Sequence, residues 1–381
     1  MIIAEDNEAF FLKRNKKIPS TWKQVLASQD CSLHKLAPYI GKLKVSIARE
    51  LVSTYSKKND LVIDPFSGSG TVPLEAILQK RKIFASDISP YARVLTRGKL
   101  FAPPTKEIAL KKAKKLFERA EQLPEVDLRR VPQWVRQFFH PKTLKEAIKF
   151  SEVCKKNGND FFFACFLGIL HHQRPGFLSY PSSHLTPYLR DKKFPKEDYP
   201  DMYMYRDLKT RMLSKIERSY KLFNARPGRS KAVYVTGSVK HIRLPKSFDC
   251  LVTSPPYMNA LDYGRDNRLR LWFISQSASS RIDKDVSQNH DGFNLIMTCL
   301  AKKINTGLKK NGYCVFVIGE RLEGSKKSRP SQMICKIMKT NAPDIKLKKV
   351  LIDNIPDIRR SRRDYRGIKK EHFLIFKKDV R

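Results

Sequence analysis

Short apolar runs alternate with longer amphipathic segments in two parts of the chain, residues 34–100 and 232–381. The apolar runs begin near residues 61, 82, 232, 249, 312, 347 and 371, and each has the length of a buried strand. The segments between them place apolar residues at helical spacing, as Leu43, Ile47 and Leu51 do before the first run. Strands that alternate with helices predict a mostly parallel sheet covered by helices, an α/β fold.

Residues 101–231 interrupt this alternation. Four helices are predicted there, at 108–122, 143–156, 161–172 and 205–224, and an irregular stretch at 173–190 is rich in aromatic, hydroxyl and basic side chains. Long irregular segments of this composition are typically functional. We predict a mostly helical insertion domain that carries target recognition, with a purely architectural cap as the alternative. Residues 1–33 read as an N-terminal arm that Trp22 anchors to the core.

The charge of the chain predicts a polyanionic partner. Lysine and arginine total 76 against 37 aspartate and glutamate residues, a formal net charge of +39. A lysine-rich composition explains only part of this excess. Binding to nucleic acid explains the remainder, because cations neutralise the phosphate backbone.

Other residue types argue against several classes of protein. The seven cysteines form no C-x-x-C pair, and the eight histidines show no H-x-x-x-H spacing. We therefore expect reduced core cysteines, no metal site and a cytoplasmic location. The N-terminus lacks the pattern of a signal peptide, and no apolar run is long enough to span a membrane, so no membrane partner is expected.

The stretch 253–257, Thr-Ser-Pro-Pro-Tyr, follows the apolar run at 247–252. Two prolines end the strand and offer carbonyl acceptors without an N–H donor, while Ser254 adds a hydroxyl and Tyr257 adds a flat ring. A nucleobase with an exocyclic amine needs acceptors at its edge and an aromatic face on which to stack. A rigid turn at the end of a strand is the simpler reading of the same residues.

A glycine turn follows the first predicted strand, within residues 60–71. Gly68 and Gly70 allow the backbone to pass close to a ligand before a helix begins. There is no third glycine at dinucleotide spacing and no P-loop lysine. Asp87 ends the next predicted strand, where its carboxylate can accept hydrogen bonds from both hydroxyls of a ribose.

Together these motifs closely resemble those of the DNA amino-methyltransferases, which methylate exocyclic amines of cytosine or adenine with S-adenosylmethionine. The stretch 64–71 looks like the cofactor motif of that family, 253–257 like its catalytic motif, and 34–42 loosely like the motif that precedes the cofactor turn. The resemblance implies a Rossmann-like seven-stranded class I methyltransferase sheet, formed by residues 34–100 and 232–381 around the helical insertion domain. It also implies S-adenosyl-L-methionine as the cofactor.

The resemblance assigns roles to individual residues. The cofactor-binding positions would be Asp64, Pro65, Phe66, Ser67, Gly68, Gly70, Thr71, Asp87, Ile88 and Ser238. Ser238 departs from the aspartate often found near this position in the family. The catalytic positions would be Ser254, Pro255, Pro256 and Tyr257. For DNA binding we predict Arg174, Tyr180, His184 and Arg190 in the irregular stretch, and Arg359, Arg360, Arg362 and Arg363 between the last two strands.

The serine form of the catalytic motif is more usual in the cytosine-N4 branch of the family. We therefore expect methylation of cytosine N4 in double-stranded DNA, within a restriction-modification system that includes a cognate endonuclease. No cysteine follows a proline, which argues against cytosine-C5 chemistry. Adenine-N6 methylation, RNA guanine-N2 methylation and an inactive nucleic-acid-binding scaffold are the alternatives. The insertion domain precedes the third strand, earlier than recognition domains of the resembling subgroup lie.

Overall fold

The protein is described by a computed structural model. It covers residues 15–23, 30–156, 158–171, 177–180, 194–222, 232–256, 264, 267–275, 290–321, 329–355 and 368–379.

A single mixed sheet of eight strands organises the described residues. The strands are β1 (Asn15–Lys17), β2 (Leu61–Asp64), β3 (Lys82–Asp87), β4 (Ala232–Thr236), β5 (Phe248–Thr253), β6 (Leu308–Arg321), β7 (Ile345–Asn354) and β8 (Ile368–Lys378). Their order across the sheet is β1-β7-β8-β6-β5-β2-β3-β4. Only β8 runs antiparallel to its neighbours. This topology confirms the predicted α/β fold class.

All seven strands predicted from apolar runs are present, and the structure adds β1 at one edge. β1 pairs in parallel with β7, and the Ile18 N–H extends the ladder to the carbonyl oxygen of Ile352 at 3.1 Å. The three residues of β1 are polar and show no alternation, so no apolar pattern identifies it. Trp22 is buried, with its ring centroid 6.1 Å from that of Phe373, as the sequence predicted.

Helices cover both faces of the sheet and form the region between β3 and β4. The helices are α1 (Val45–Tyr55), α2 (Thr71–Leu78), α3 (Pro90–Leu100), α4 (Lys106–Glu121), α5 (Gln133–Arg136), α6 (Pro141–Lys155), α7 (Asp160–Ile169), α8 (Leu208–Ser219), α9 (Arg268–Ile274), α10 (His290–Gly307) and α11 (Pro330–Asn341). Helices α4, α6, α7 and α8 correspond to the four predicted in residues 101–231. None of the described helices has the length and hydropathy needed to cross a bilayer.

The helical region packs closely against α3. Gly98 of α3 lies so near α7 that an added Cβ would be 2.9 Å from the Cβ of Ala164. Arg97 donates to Asp160 at 2.8 Å across the same contact. One hydrophobic cluster contains residues of α2 and α3 together with those of α4, α6, α7 and α8. The helical region therefore shares a core with α2 and α3, two helices that follow strands β2 and β3 of the sheet.

The strand order reverses direction at β2, which lies between β3 and β5. In open α/β sheets, ligands bind at the carboxyl ends of the strands beside such a switch point. The carboxyl ends of β2, β3 and β5 carry the glycine turn, Asp87 and Ser254 respectively. The fold thus brings together the motifs that lie far apart in the sequence.

Candidate active site

The turn between β2 and α2 depends on two glycines with positive φ. Gly68 has φ 47° and Gly70 has φ 74°. The Gly70 N–H donates to the carbonyl oxygen of Ser67 at 2.7 Å, which closes the turn directly before α2 begins at Thr71. Side chains other than glycine rarely adopt this left-handed region, so the sequence dictates the turn locally.

Asp87 fixes the glycine turn from the end of β3. One carboxylate oxygen accepts the Gly68 N–H at 2.8 Å, and the other accepts the Ser89 N–H at 2.8 Å. Burial raises the pKa of Asp87 to about 6, although these backbone donors oppose the shift. Each carboxylate oxygen has a second lone pair, so Asp87 retains acceptor capacity toward a ligand.

Asp64 joins the glycine turn to the end of β5. Its Oδ1 accepts the hydroxyl proton of Thr253 at 2.6 Å and the Phe66 N–H at 3.3 Å. The side chain is 2% exposed, and burial raises its pKa to about 7 despite the Thr253 hydrogen bond. The two acidic groups, Asp64 and Asp87, therefore lie close to one ligand site with elevated pKa values.

Ser254 begins the segment that follows β5. Its hydroxyl donates to the carbonyl oxygen of Val317 on β6 at 3.0 Å. A serine hydroxyl has one proton, so toward any further group Ser254 can act only as an acceptor. Pro255 and Pro256 come next and carry no N–H donor. Tyr257 lies outside the described residues.

These groups line a single pocket. The predicted site residues around it are Asp64, Pro65, Phe66, Ser67, Gly68, Thr71, Asp87, Ile88, Ser238, Ser254, Pro255 and Pro256. Gly70 does not line it. An added Cβ at Gly70 would be 2.8 Å from Oγ1 of Thr96, so this glycine allows α3 to approach the turn.

The pocket also contains residues to which the sequence motifs assign no individual role. Tyr39, Gly41, Lys42 and Leu43 line it from the segment before α1. The Tyr39 ring covers the turn so closely that a Cβ on Gly68 would be 3.3 Å from it. The loose motif at 34–42 is the signal for this segment, but it does not indicate which side chains line the pocket.

Buried polar side chains form hydrogen bonds around the glycine turn. Lys99 of α3 donates to the carbonyl oxygen of Ser69 at 2.5 Å, and Lys42 donates to that of His34 at 2.6 Å. Burial lowers the pKa of Lys42 to about 8 and holds the pKa of Lys99 well below its usual value. His34 in turn contacts Glu75 of α2 at 2.8 Å.

Of the eight residues predicted to bind DNA, only Tyr180 lies among the described residues. Tyr180 is 8% exposed, and its ring centroid lies 5.0 Å from that of Tyr203, which disfavours a contact with DNA. Arg174, His184, Arg190, Arg359, Arg360, Arg362 and Arg363 lie outside the described residues. Within the described part of the chain, no group of three or more histidine, cysteine or acidic residues is arranged to hold a metal ion.

Comparisons with known proteins agree with the sequence motifs. A family model described as "DNA methylase" matches residues 5–96. This segment contains Tyr39, the glycine turn and Asp87, but not the stretch 253–257. No curated protein is significantly similar to the chain.

Several solved methyltransferases share a distant likeness with the chain. TrmN from Thermus thermophilus has a TM-score of 0.36 at 10% identity, over 91% of this chain and 52% of TrmN, so the chain spans about half of that protein. The rRNA methyltransferase aviRa from Streptomyces viridochromogenes has a TM-score of 0.35 at 13% identity, over 95% of this chain and 94% of aviRa. A TehB-like SAM-dependent methyltransferase from Corynebacterium glutamicum has a TM-score of 0.33 at 8% identity, over 98% and 99%.

The family match covers the part of the pocket formed by the glycine turn and Asp87, and it is in keeping with S-adenosylmethionine as the cofactor. Residues 5–96 thus match the DNA methylase family, which confirms the resemblance found in the sequence motifs.

Proposed function

We propose that this protein is a DNA methyltransferase that transfers a methyl group from S-adenosyl-L-methionine to the exocyclic N4 amine of cytosine. The observation that carries the proposal is the shared pocket, in which the glycine turn and Asp87 meet Ser254 and Pro255. A cofactor site and an acceptor site for an amine are thereby adjacent. The family match supports the coarser part of the proposal, methyl transfer with a nucleic-acid substrate.

The pocket residues fit the chemical groups of this cofactor. Asp87 accepts hydrogen bonds from ribose hydroxyls, while Ile88 and Val239 offer apolar surface to the adenine. Among the described residues that line the pocket, Lys42 is the cationic side chain available to a carboxylate. When bound, the sulfonium supplies an electrophilic methyl group, and the ionised form of Asp64 favours a positive charge nearby.

The catalytic role of this chain is to position the amine. The cytosine amine is a weak nucleophile because its lone pair is delocalised into the ring. Ser254 can only accept, since its proton is donated to Val317, and the Pro255 carbonyl is a second acceptor. Two acceptors on the amine hydrogens favour a pyramidal nitrogen whose lone pair points at the methyl group. Tyr257 stacks on the base that is flipped out of the duplex.

The finer parts of the proposal rest on the sequence. The serine at position 254 favours cytosine over adenine, and the charge of +39 favours a polyanionic substrate. We assign target recognition to the helical region at 101–231 and phosphate contacts to the arginines at 359–363. A restriction-modification system with a cognate endonuclease is the biological setting that suits these features.

Transfer of a labelled methyl group tests the proposal. Purified protein is incubated with S-adenosylmethionine labelled in its methyl group, and with either mixed-sequence double-stranded DNA or RNA. We expect label in DNA and none in RNA, with loss of incorporation in Asp87→Asn. Label in RNA alone would replace the proposal with RNA methylation. Cofactor binding without transfer to either polymer would identify an inactive scaffold.

A further inference from the structure

A second feature of the molecule lies at the end of the sheet opposite the pocket. Six described segments begin or end the strands there: 56–61, 79–82, 245–249, 308–311, 344–349 and 376–379, which we call the amino edge. Thirteen of these 29 residues are lysine or arginine, compared with 76 of 381 in the whole chain, and four are aspartate. The density of cations at the amino edge therefore exceeds what the composition of the chain provides.

Strand pairing makes the amino edge one continuous band. The Asn59 N–H donates to the carbonyl oxygen of Lys80 at 2.9 Å, which joins the turns before β2 and β3. The Leu61 N–H donates to Asp249 at 2.8 Å, which links β2 to β5. On the other side, Lys346 of β7 pairs in register with Lys377 of β8. The band runs from β3 to β7 across five strand intervals, about 24 Å.

The described cations of the band include some that pair with aspartate and some that contact neutral carbonyl oxygens. Lys309 pairs with Asp249 at 2.7 Å and Lys348 pairs with Asp379 at 2.8 Å. Lys378 instead donates to the carbonyl oxygens of Asn305 and Leu308, which carry no net charge. Arg81 likewise donates to the carbonyl oxygens of Ser56 and Gln79.

Several lysines of the band are exposed to solvent, including Lys57, Lys58, Lys80, Lys346 and Lys349. Such a concentration of like charges repels itself and is relieved by a polyanion.

The chemistry of the band favours a phosphodiester backbone. Its two aromatic residues, Phe248 and Phe376, are buried, so no ring is presented for stacking on single-stranded bases. Its leucine and isoleucine side chains are buried or half-buried, which disfavours insertion into a lipid surface. A duplex presents one phosphate charge per about 1.7 Å of axis, so about 14 phosphates lie along a band of this length.

We infer that the amino edge is a second nucleic-acid-binding surface, which contacts the backbone of a duplex independently of its sequence. The pocket opens at the carboxyl ends of the strands, about 15–20 Å away along β3. The surface therefore acts separately from the site at which a base is modified. It holds a second stretch of the same duplex, or a second duplex, while the pocket is engaged.

Substitution of exposed lysines tests this inference. The edge variant carries Lys57→Gln, Lys58→Gln and Lys346→Gln. The matched control removes the same charge from the outer faces of α10 and α11 with Lys302→Gln, Lys336→Gln and Lys339→Gln, all of which are exposed. Fluorescence anisotropy then measures binding to DNA and RNA duplexes of about 30 base pairs, several times the roughly seven base pairs that span the band.

We expect the edge variant to lose about tenfold or more in affinity and the slope of log K against log salt to become shallower by about 2–3. The control should change both quantities by less than half as much. A larger loss of affinity for the RNA duplex than for the DNA duplex in the edge variant would identify RNA as the ligand of this surface. Equal losses in both variants, an unchanged edge variant, or binding to anionic vesicles but not to duplexes would overturn the inference.

The same proteins separate this inference from the proposed function. Thermal melting shows whether the edge variant is folded. Its cofactor affinity and its methyl transfer to a short duplex should match those of the native chain. A native chain that transfers no methyl group, but whose edge variant still loses duplex affinity, would refute the proposed function and leave the amino edge as a binding surface. A loss of cofactor affinity in the edge variant would overturn the inference.

Discussion

At the residue scale, Asp87 has a structural role, and the proposed function gives it a ligand-binding role as well. Its two oxygens already accept the N–H groups of Gly68 and Ser89, and it lines the pocket with acceptor capacity remaining. The backbone hydrogen bonds hold the carboxylate in place before any ligand arrives. An acceptor that is oriented in advance loses little conformational entropy on binding.

Replacement of Asp87 should weaken cofactor binding. We expect Asp87→Ala to reduce the affinity for S-adenosylmethionine by about 1–3 kcal/mol, because ribose hydroxyls lose their acceptor. Isothermal calorimetry measures the change. Asp207→Ala is the matched control, since Asp207 also accepts a backbone N–H, from Thr210 at 2.7 Å, but does not line the pocket. An unchanged dissociation constant in a folded Asp87→Ala protein would refute the ribose contact.

Cofactor affinity should also depend on pH. The pKa of Asp87 is raised to about 6, so acidification below that value protonates the carboxyl group and removes acceptor capacity. A ligand that prefers the ionised form therefore binds less tightly as the pH falls from 7.5 to 5, by at most about tenfold per pH unit below the pKa. In Asp87→Asn this part of the pH dependence should vanish. Identical pH profiles for the two proteins would contradict the assignment.

Ser254 should affect turnover and not the binding of cofactor. Ser254→Ala removes an acceptor whose orientation is set by its hydrogen bond to Val317, and the position of the amine matters chiefly during transfer. We expect kcat to fall about tenfold or more, while the dissociation constants for S-adenosylmethionine and duplex DNA remain nearly unchanged. Single-turnover kinetics measures this difference. A variant with the native rate of transfer would show that Ser254 does not contact the amine.

At the element scale, the glycine turn shows which parts of the site were predictable. The strand, the two glycines and the helix after them form a local pattern, so the sequence alone places the turn. The contact of Gly70 with Thr96 arises from the packing of α3, which no local pattern encodes. The packing of Tyr180 against the distant Tyr203 is likewise invisible to a local pattern, and a contact of Tyr180 with DNA stays a prediction that its burial disfavours.

Gly70 and Gly158, whose φ angles are nearly equal, provide a test of this packing. Gly70 has φ 74° and Gly158 has φ 75°, but only at Gly70 would a Cβ meet other atoms, with Cα of Thr96 at 2.9 Å. Gly158→Ala should cost about 1–2 kcal/mol, from the left-handed conformation alone. Gly70→Ala should cost more than that, since α3 has to move. Equal losses in the free energy of unfolding would contradict the close approach of α3.

At the scale of the whole molecule, the helical region at 101–231 is connected to the pocket through α3. α3 begins directly after Asp87 and packs along α7 of the helical region, at the close approach of Gly98 and Ala164. The sequence predicted the helices of 101–231 from their periodicity, but not this shared core, because contacts between distant segments leave no periodic signal. Target recognition by residues 101–231 stays a prediction.

The shared core predicts cooperative unfolding. If the helical region and the sheet unfold together, calorimetry should show one transition, with a calorimetric enthalpy close to the van't Hoff enthalpy. S-adenosylmethionine should then raise the midpoint of the whole transition, because it binds only the folded state. Two transitions, of which only one responds to the cofactor, would indicate that residues 101–231 form an independent unit.

The identity of the methylated base is the most direct test of the proposed cytosine-N4 methyl transfer. Mixed-sequence duplex DNA is incubated with the protein and S-adenosylmethionine, digested to nucleosides and analysed by mass spectrometry, with Ser254→Ala and Tyr257→Ala in parallel. We expect N4-methylcytosine with the native chain and much less of it with both variants, which should retain cofactor binding. N6-methyladenine as the sole product would contradict the base assignment. The absence of any methylated amine from DNA would contradict the function itself.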